Sequence, residues 1–318
     1  MSFQIMGTGK AHPQFSLTND QLSTIVDTND EWITSRSGIK TRFIATTETG
    51  LELTATASNQ ALANAGIAAA DLDLIICATL QGDNVTPSLA CMVQQEIGAH
   101  CPAFDLNAAC TGFIYALDVA AAYLDSGRAD KVLVVACEMM SKHLDWNHRS
   151  TCVLFGDGAG AVVLQKGDGL LARVLTAQSD TEQALLIPGF NNINPFSQLP
   201  HRPNVLSMSG RKVFKFAVGA MVKDVKKALA QAGLTPAQVK MVIPHQANIR
   251  IIQSAAKLLG FTEEQTAIGI QHYGNTSSAS IPLLLDDLWR QGKIQRGDII
   301  VLSAFGGGFT TGACIIKL

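Results

Sequence analysis

The sequence predicts an α/β protein built from two similar halves in tandem, and an internal repeat carries most of that expectation. Residues 61–76 and 228–243 align at an offset of 167, with seven of sixteen positions identical. Each copy runs from an alanine-rich helix end, through a glycine (Gly66, Gly233), into a short apolar strand. A glycine after the last helical residue is the usual way to end a helix. The same offset pairs residues 132–136 (Val-Leu-Val-Val-Ala) with 299–303 (Ile-Ile-Val-Leu-Ser) and sets Cys110 opposite Ser277. Matches in register define two halves, roughly 1–168 and 169–318. Composition agrees: 47% of residues are hydrophobic, only 16% are charged and 6% are aromatic. Alanine, glycine, valine, isoleucine and leucine therefore fill the core, as in parallel strands covered by helices on both faces.

Length and charge narrow the function. A chain of 318 residues holds one large domain or two fused ones. A net charge of −2 gives no global attraction for nucleic acid. No apolar run approaches the ~20 residues of a membrane helix. Residues 1–7 lack the basic and apolar regions of a secretory signal, so a cytoplasmic protein without membrane insertion is expected. Seven cysteines at irregular spacing read as reduced thiols, and without a C-x-x-C pair a structural zinc site is not expected.

Along the chain, the first chemical signal is Cys110. It follows the apolar segment 104–109 and precedes Gly112 and an alanine-rich helical pattern over 113–124. A cysteine at such a strand-to-helix turn meets unpaired backbone N–H groups and the positive end of the helix dipole, both of which favour a thiolate. A thiolate can hold an acyl group as a thioester. Residues 155–160 (Phe-Gly-Asp-Gly-Ala-Gly) lack the Lys-Ser/Thr of a phosphate loop and read as a structural turn. In the second half, His245 ends the strand 241–243, and Asn275 sits in a glycine-flanked loop before the next helical segment. Alone, His245 would be read as a core residue and Asn275 as a turn residue. The duplication gives them a reason to converge on Cys110, because ligands bind at strand ends in α/β folds.

Seven stretches carry a family resemblance: 29–33 (Asn-Asp-Glu-Trp-Ile), 36–42 (Arg-Ser-Gly-Ile-Lys-Thr-Arg), 101–110, 155–160, 244–248 (Pro-His-Gln-Ala-Asn), 274–277 (Gly-Asn-Thr-Ser) and 304–309 (Ala-Phe-Gly-Gly-Gly-Phe). In that order they resemble the β-ketoacyl-acyl-carrier-protein synthase III family of the thiolase superfamily. The resemblance implies a thiolase-like fold, with two βαβαβαββ halves in a five-layer αβαβα arrangement. It implies condensation of an acyl-CoA with malonyl-acyl-carrier protein at the start of fatty-acid synthesis, no metal or redox cofactor, and a homodimer.

By the same resemblance Cys110 is the acylated nucleophile. The N–H groups of Cys110 and Gly306 form its oxyanion hole, and His245 and Asn275 stabilise the enolate left when carbon dioxide departs. Trp32, Arg36 and Arg149 correspond to coenzyme A contacts, and Asn248 borders the pantetheine tunnel. Lys215, Arg250 and Lys257 are candidates for the acidic carrier protein; Arg250 and Lys257, seven apart, share a predicted helix face. Thr86 stands where phenylalanine is common at the floor of the acyl pocket, and implies a longer or more polar pocket. Three alternatives stay open. A degradative thiolase would need a second cysteine where this chain has Ala304. A specialised condensing enzyme of secondary or biotin metabolism would keep the triad. A Cys-His thioester hydrolase would activate Cys110 with a basic His245 and tolerate loss of Asn275.

Overall fold

The computed structural model describes residues 2–189, 195, 196, 198, 200 and 202–318. In the first half, strands and helices alternate as β1 (Ser2–Ala11), α1 (Gly50–Ala65), β2 (Leu74–Ala78), α2 (Leu89–Glu96), β3 (Ala103–Leu106), α3 (Gly112–Asp125), β4 (Lys131–Met139) and β5 (Asp157–Gly167). In the second half they run β6 (Leu170–Ala177), α4 (Gly210–Ala232), β7 (Met241–Pro244), α5 (Ile249–Leu259), α6 (Ser280–Arg290), β8 (Ile299–Gly306) and β9 (Thr310–Lys317). The first sheet has the order β1-β5-β4-β2-β3 and the second β6-β9-β8-β7. The third strand of the first half has a remnant in the second: Thr266 forms a single parallel bridge to Val242 on β7. Apart from that reduction the halves share one topology.

Side-chain alternation builds the layers. A strand buried on both faces sends successive residues to opposite sides. On β4, Val132, Val134 and Ala136 join the central cluster, which holds α3 and α6. Leu133, Val135 and Cys137 face the other way, into a cluster with α1 and α2. On β8, Ile300, Leu302 and Ala304 point to the centre, while Val301 faces α4 and α5. The stack is therefore α1/α2, sheet, α3/α6, sheet, α4/α5, which is the five-layer thiolase-like fold. On α3, Ala116, Ala120 and Ala121 are fully buried beside Phe113, Leu117 and Leu124, and their small size lets a helix lie close between two sheets. Gly66 and Gly233 end α1 and α4 with φ of 65° and 66°, as the repeat requires.

Two expectations are corrected here. The offset slips from 167 to 168 between β7 and α6: α3 starts at 112 and α6 at 280, and the turns before them are Ala109–Thr111 and Ser277–Ala279. The residues in the left-handed region are Ala109 (φ 49°) and Ser277 (φ 50°). Cys110 thus corresponds to Ser278, not Ser277, and strand residues 132–136 correspond to 300–304, not to 299–303. Residues 157–160 are not a turn but the start of β5, a strand hydrogen-bonded on both sides. Its glycines serve contact with α6: a Cβ on Gly160 would lie 2.6 Å from the backbone nitrogen of Leu283.

Gly160→Ala should therefore cost about 1–3 kcal/mol, because backbone cannot move aside as a side chain does. Gly219→Ala, in the exposed middle of α4 with open space around it, should instead stabilise by about 0.4–1 kcal/mol. Urea unfolding of both variants checks the contrast, and equal effects would refute it.

Candidate active site

The two turns that start the central helices meet where the halves join. Ser277 Oγ lies 3.4 Å from Cys110 Sγ. A Cβ on Gly112 would stand 3.4 Å from the Cβ of Ser278, an ordinary contact, and a tight 3.2 Å from that of Ala78, so the two turns approach closely here. Next to them is a cavity of about 320 Å³ lined by Cys110, His245 and Asn275 together with Leu80, Met140, Leu154, Phe155, Leu206, Phe305 and Gly307. The three residues singled out from three separate stretches share one largely apolar pocket.

Cys110 departs from its sequence-based expectation. Burial, the largest influence, pushes its thiol up to about 12; the Ser277 hydroxyl opposes this and the Glu138 carboxylate adds to it. A helix terminus contributes only about 0.3–1 kcal/mol, less than burial of a thiolate costs. The resting thiol is neutral. Its backbone N–H faces Gly306, where a Cβ would come within 2.8 Å of the Cys110 nitrogen. Glycine there keeps the space beside that N–H open, as an oxyanion hole needs.

His245 is 1% exposed. Burial holds its imidazole down at about 3, so the ring is neutral. Nδ1 lies 2.7 Å from Ser280 Oγ, which also accepts the Gln246 N–H at 3.3 Å. With the Ser280 proton turned to Nδ1, the imidazole proton sits on Nε2, which is buried without a partner. Phe305 packs edge-on at 5.3 Å and fixes the ring. Asn275 Oδ1 accepts the Ser277 N–H at 2.9 Å, which leaves its NH₂ as the free end. Both residues present N–H donors, and Cys110 is bonded to Ser277 instead of to His245. That geometry suits stabilisation of a developing oxyanion, not a Cys-His ion pair.

Outside the cavity, the helix Asp30–Ser37 carries Trp32 and Arg36. The guanidinium carbons of Arg36 and Arg149 lie 4.8 and 5.3 Å from the Trp32 ring centroid. Asn248 caps α5, lines the cavity and donates to the Arg36 carbonyl at 3.0 Å, linking the rim to the pocket. Lys215 on α4 and Arg250 and Lys257 on α5 are exposed, and their helices pack together through Val213, Ala217, Ile251 and Ala255. Thr86 is exposed and lies outside the cavity of its own chain. Sequence reasoning missed Glu138, Ser277 and Ser280. Glu138 had a signal, a charge interrupting an apolar strand, now fully buried on β4 at 1% exposure. The described residues contain no group of three His, Cys, Asp or Glu able to hold a metal ion, and no helix among them is long and apolar enough to cross a membrane.

Fold and site together define a condensing acyltransferase of the thiolase class. Comparison with known proteins gives the family. Models of 3-oxoacyl-[acyl-carrier-protein] synthase III match residues 104–183 and, for its C-terminal part, 229–318. The β-ketoacyl-[acyl-carrier-protein] synthase III of Clostridium acetobutylicum is 47% identical over 99% of this chain and 98% of its own. The crystal structure of the synthase III from Aquifex aeolicus matches with a TM-score of 0.94 at 44% identity, covering 99% of this chain and all of that one. The priming β-ketosynthase of the R1128 polyketide pathway matches at 0.93 and 36% identity, over 100% and 96% of the two chains. The chain belongs to the 3-oxoacyl-[acyl-carrier-protein] synthase III family.

The depressed His245 pKa has a consequence for stability. A histidine held neutral contributes stability that is present above its unfolded pKa of about 6.5 and is lost as pH falls toward about 3. Unfolding free energy measured from pH 7 to 4 should fall with a steeper slope for wild type than for His245→Gln. Identical slopes would show that the imidazole protonates freely in the fold.

Proposed function

We propose that the chain catalyses the decarboxylating condensation of an acyl-CoA primer with malonyl-acyl-carrier protein, starting fatty-acid synthesis through an acyl-Cys110 intermediate. The observation that carries this is the lining of one cavity by a thiol and two neutral N–H donors on separate elements. The acyl group moves from the CoA sulfur to Cys110 Sγ, its carbonyl oxygen held by the N–H groups of Cys110 and Gly306. Malonyl thioester then enters, and loss of carbon dioxide leaves an enolate. Negative charge on that oxygen is met by His245 Nε2–H and the Asn275 NH₂. A neutral histidine donates without protonating the enolate carbon, which attacks the acyl carbonyl and expels the Cys110 sulfur.

Trp32, Arg36 and Arg149 supply a flat face and two cations for the nucleotide of CoA, and Asn248 sits where its pantetheine arm would pass. Exposed Lys215, Arg250 and Lys257 suit an acidic carrier protein as rim charges that steer association. The enzyme acts in the cytoplasm as a homodimer without a metal or redox cofactor. In that arrangement the exposed loop around Thr86 reaches the acyl pocket of the second copy. The match to a polyketide priming synthase keeps primers other than acetyl-CoA in view.

Cys110→Ala should abolish acylation and condensation yet still decarboxylate malonyl-carrier protein. His245→Ala and Asn275→Ala should still accept the acyl group but lose decarboxylation by about 10²–10³, as loss of an oxyanion donor does. Single-turnover mass spectrometry and carbon dioxide release separate the two steps. Wild-type decarboxylation by Asn275→Ala, or release of free acid instead of a β-ketoacyl thioester, would contradict the assignment.

Thr86 sets a second expectation. If it floors the partner's pocket, each further buried methylene of the primer gains about 0.8 kcal/mol. Butyryl or longer primers should rival acetyl-CoA in kcat/KM, and Thr86→Phe should shift preference toward acetyl. A primer panel dominated by acetyl-CoA and unchanged by Thr86→Phe would place this residue outside the pocket.

A further inference from the structure

One buried ionisable group is left unused by this chemistry. Glu138, on β4, lies behind the nucleophile and is tied to it by a single hydroxyl. Ser277 Oγ is 3.4 Å from Cys110 Sγ and 3.1 Å from Glu138 Oε1. Ser278 Oγ donates to the same carboxylate oxygen at 2.6 Å, and the Leu80 N–H reaches Oε2 at 3.1 Å. One hydroxyl carries one proton. With the Ser277 proton given to Glu138, its oxygen accepts Sγ–H, and a continuous path runs from thiol to carboxylate. Ser277 is held in this position with φ of 50°, a left-handed conformation that costs a non-glycine residue about 1–3 kcal/mol and clusters at functional sites. Its backbone N–H is anchored by Asn275 Oδ1.

We propose that Ser277 and Glu138 form a proton store for Cys110, taking the thiol proton when the enzyme is acylated and returning it when the acyl group leaves. The inference rests on the reading of Cys110 as the acylated residue. In the first step the Sγ–H proton passes to Ser277 Oγ as the Ser277 proton passes to Glu138. Sγ bonds to the acyl carbon, the bond from that carbon to the CoA sulfur breaks, and the CoA thiolate takes a proton from water. In the second step malonyl thioester loses carbon dioxide, the enolate carbon bonds to the acyl carbon, and the bond to Cys110 breaks. The departing sulfur recovers its proton from Glu138 through Ser277. The cycle consumes one solvent proton, which ends on CoA, and leaves Cys110 and Glu138 as they began. Ser277 touches the reacting sulfur; Glu138 is a positioning residue that acts through it.

Burial raises the Glu138 carboxyl to about 7, against hydrogen bonds from Ser278, Leu80 and Ser277 that lower it. The ionisable groups coupled to it are the thiols of Cys110, Cys77 on β2 and Cys137 on β4, all pushed up by burial. On β5, the Asp157 carboxylate is bonded to Ala45 and Ser141. Packed helices α1 and α3 and the turn Ser277–Ala279 contain no Lys, Arg or His. A carboxyl poised near neutrality can both accept and return a proton.

The test is the rate of acyl-Cys110 formation from acetyl-CoA, followed by quenched intact-mass spectrometry on the full chain from about pH 5.5 to 8.5. Wild type should speed up as pH rises through about 7, where Glu138 loses its proton. Glu138→Gln should lose that inflection and slow by about 10²–10⁴, the usual worth of a proton-transfer group. Glu138→Asp should restore part of both. Glu138→Gln acylating at the wild-type rate with an unchanged profile would overturn the proposal. So would a wild-type rate flat across this range, which needs no variant to fold. Wild type that forms no adduct on Cys110 would overturn the acyl-enzyme reading itself, an outcome distinct from an adduct that forms without help from Glu138.

Discussion

Everything at this site depends on the close meeting of two turns, Ala109–Thr111 and Ser277–Ala279, at the starts of the two central helices. They occupy equivalent places in the two sheets' topology, and each contains a residue in the left-handed region, Ala109 and Ser277. Gly112 lies at the meeting point, packed against Ala78 and Ser278. The contact sets the Cys110 sulfur against Ser277. It also fixes Asn275, whose Oδ1 is bound to the Ser277 N–H. The cavity draws Cys110 from the first part of the chain and His245 and Asn275 from the second.

The pocket beyond the turns is largely apolar, and burial there disfavours charged groups. Burial keeps both the thiol and the imidazole uncharged at neutral pH. For the role proposed for His245 that is an advantage, because a neutral ring can donate a hydrogen bond to an oxyanion without protonating the carbanion. For Cys110 it is a cost, because a neutral thiol attacks poorly. The helix start offsets part of this cost, and the proposed proton store would offset the rest. Glu138 is the carboxylate that lies one hydroxyl away.

Much of the fold was legible because it is periodic. Continuous apolar runs at 132–136 and 299–303, and the capping glycines 66 and 233, marked strands and helix ends in both parts of the chain. The one-residue slip before α6 was not legible, since it lies in a stretch where the halves share no sequence. Glycines 156, 158 and 160 resembled a turn because close approach to a neighbouring element and a tight turn call for the same residue. Cys110 stood out at a strand-to-helix turn, His245 at a strand end and Asn275 in a glycine-flanked loop, and the cavity is lined by all three. At Cys110 the helix start favours a thiolate and burial opposes it, and sequence shows the first but not the second. Thr86 shows a different limit: the resemblance implies a pocket role, while in the fold the residue is exposed and outside the cavity.

The most direct test of the account is a crystal structure of the enzyme soaked with acetyl-CoA. The account predicts an acetyl group on Cys110 Sγ, with its carbonyl oxygen about 2.7–3.1 Å from the backbone nitrogens of both Cys110 and Gly306. His245 Nε2 and the Asn275 NH₂ should then converge on a separate space, open for the malonyl thioester oxygen. An acetyl group on another residue, or one whose carbonyl oxygen is held by His245 and Asn275 instead, would contradict it.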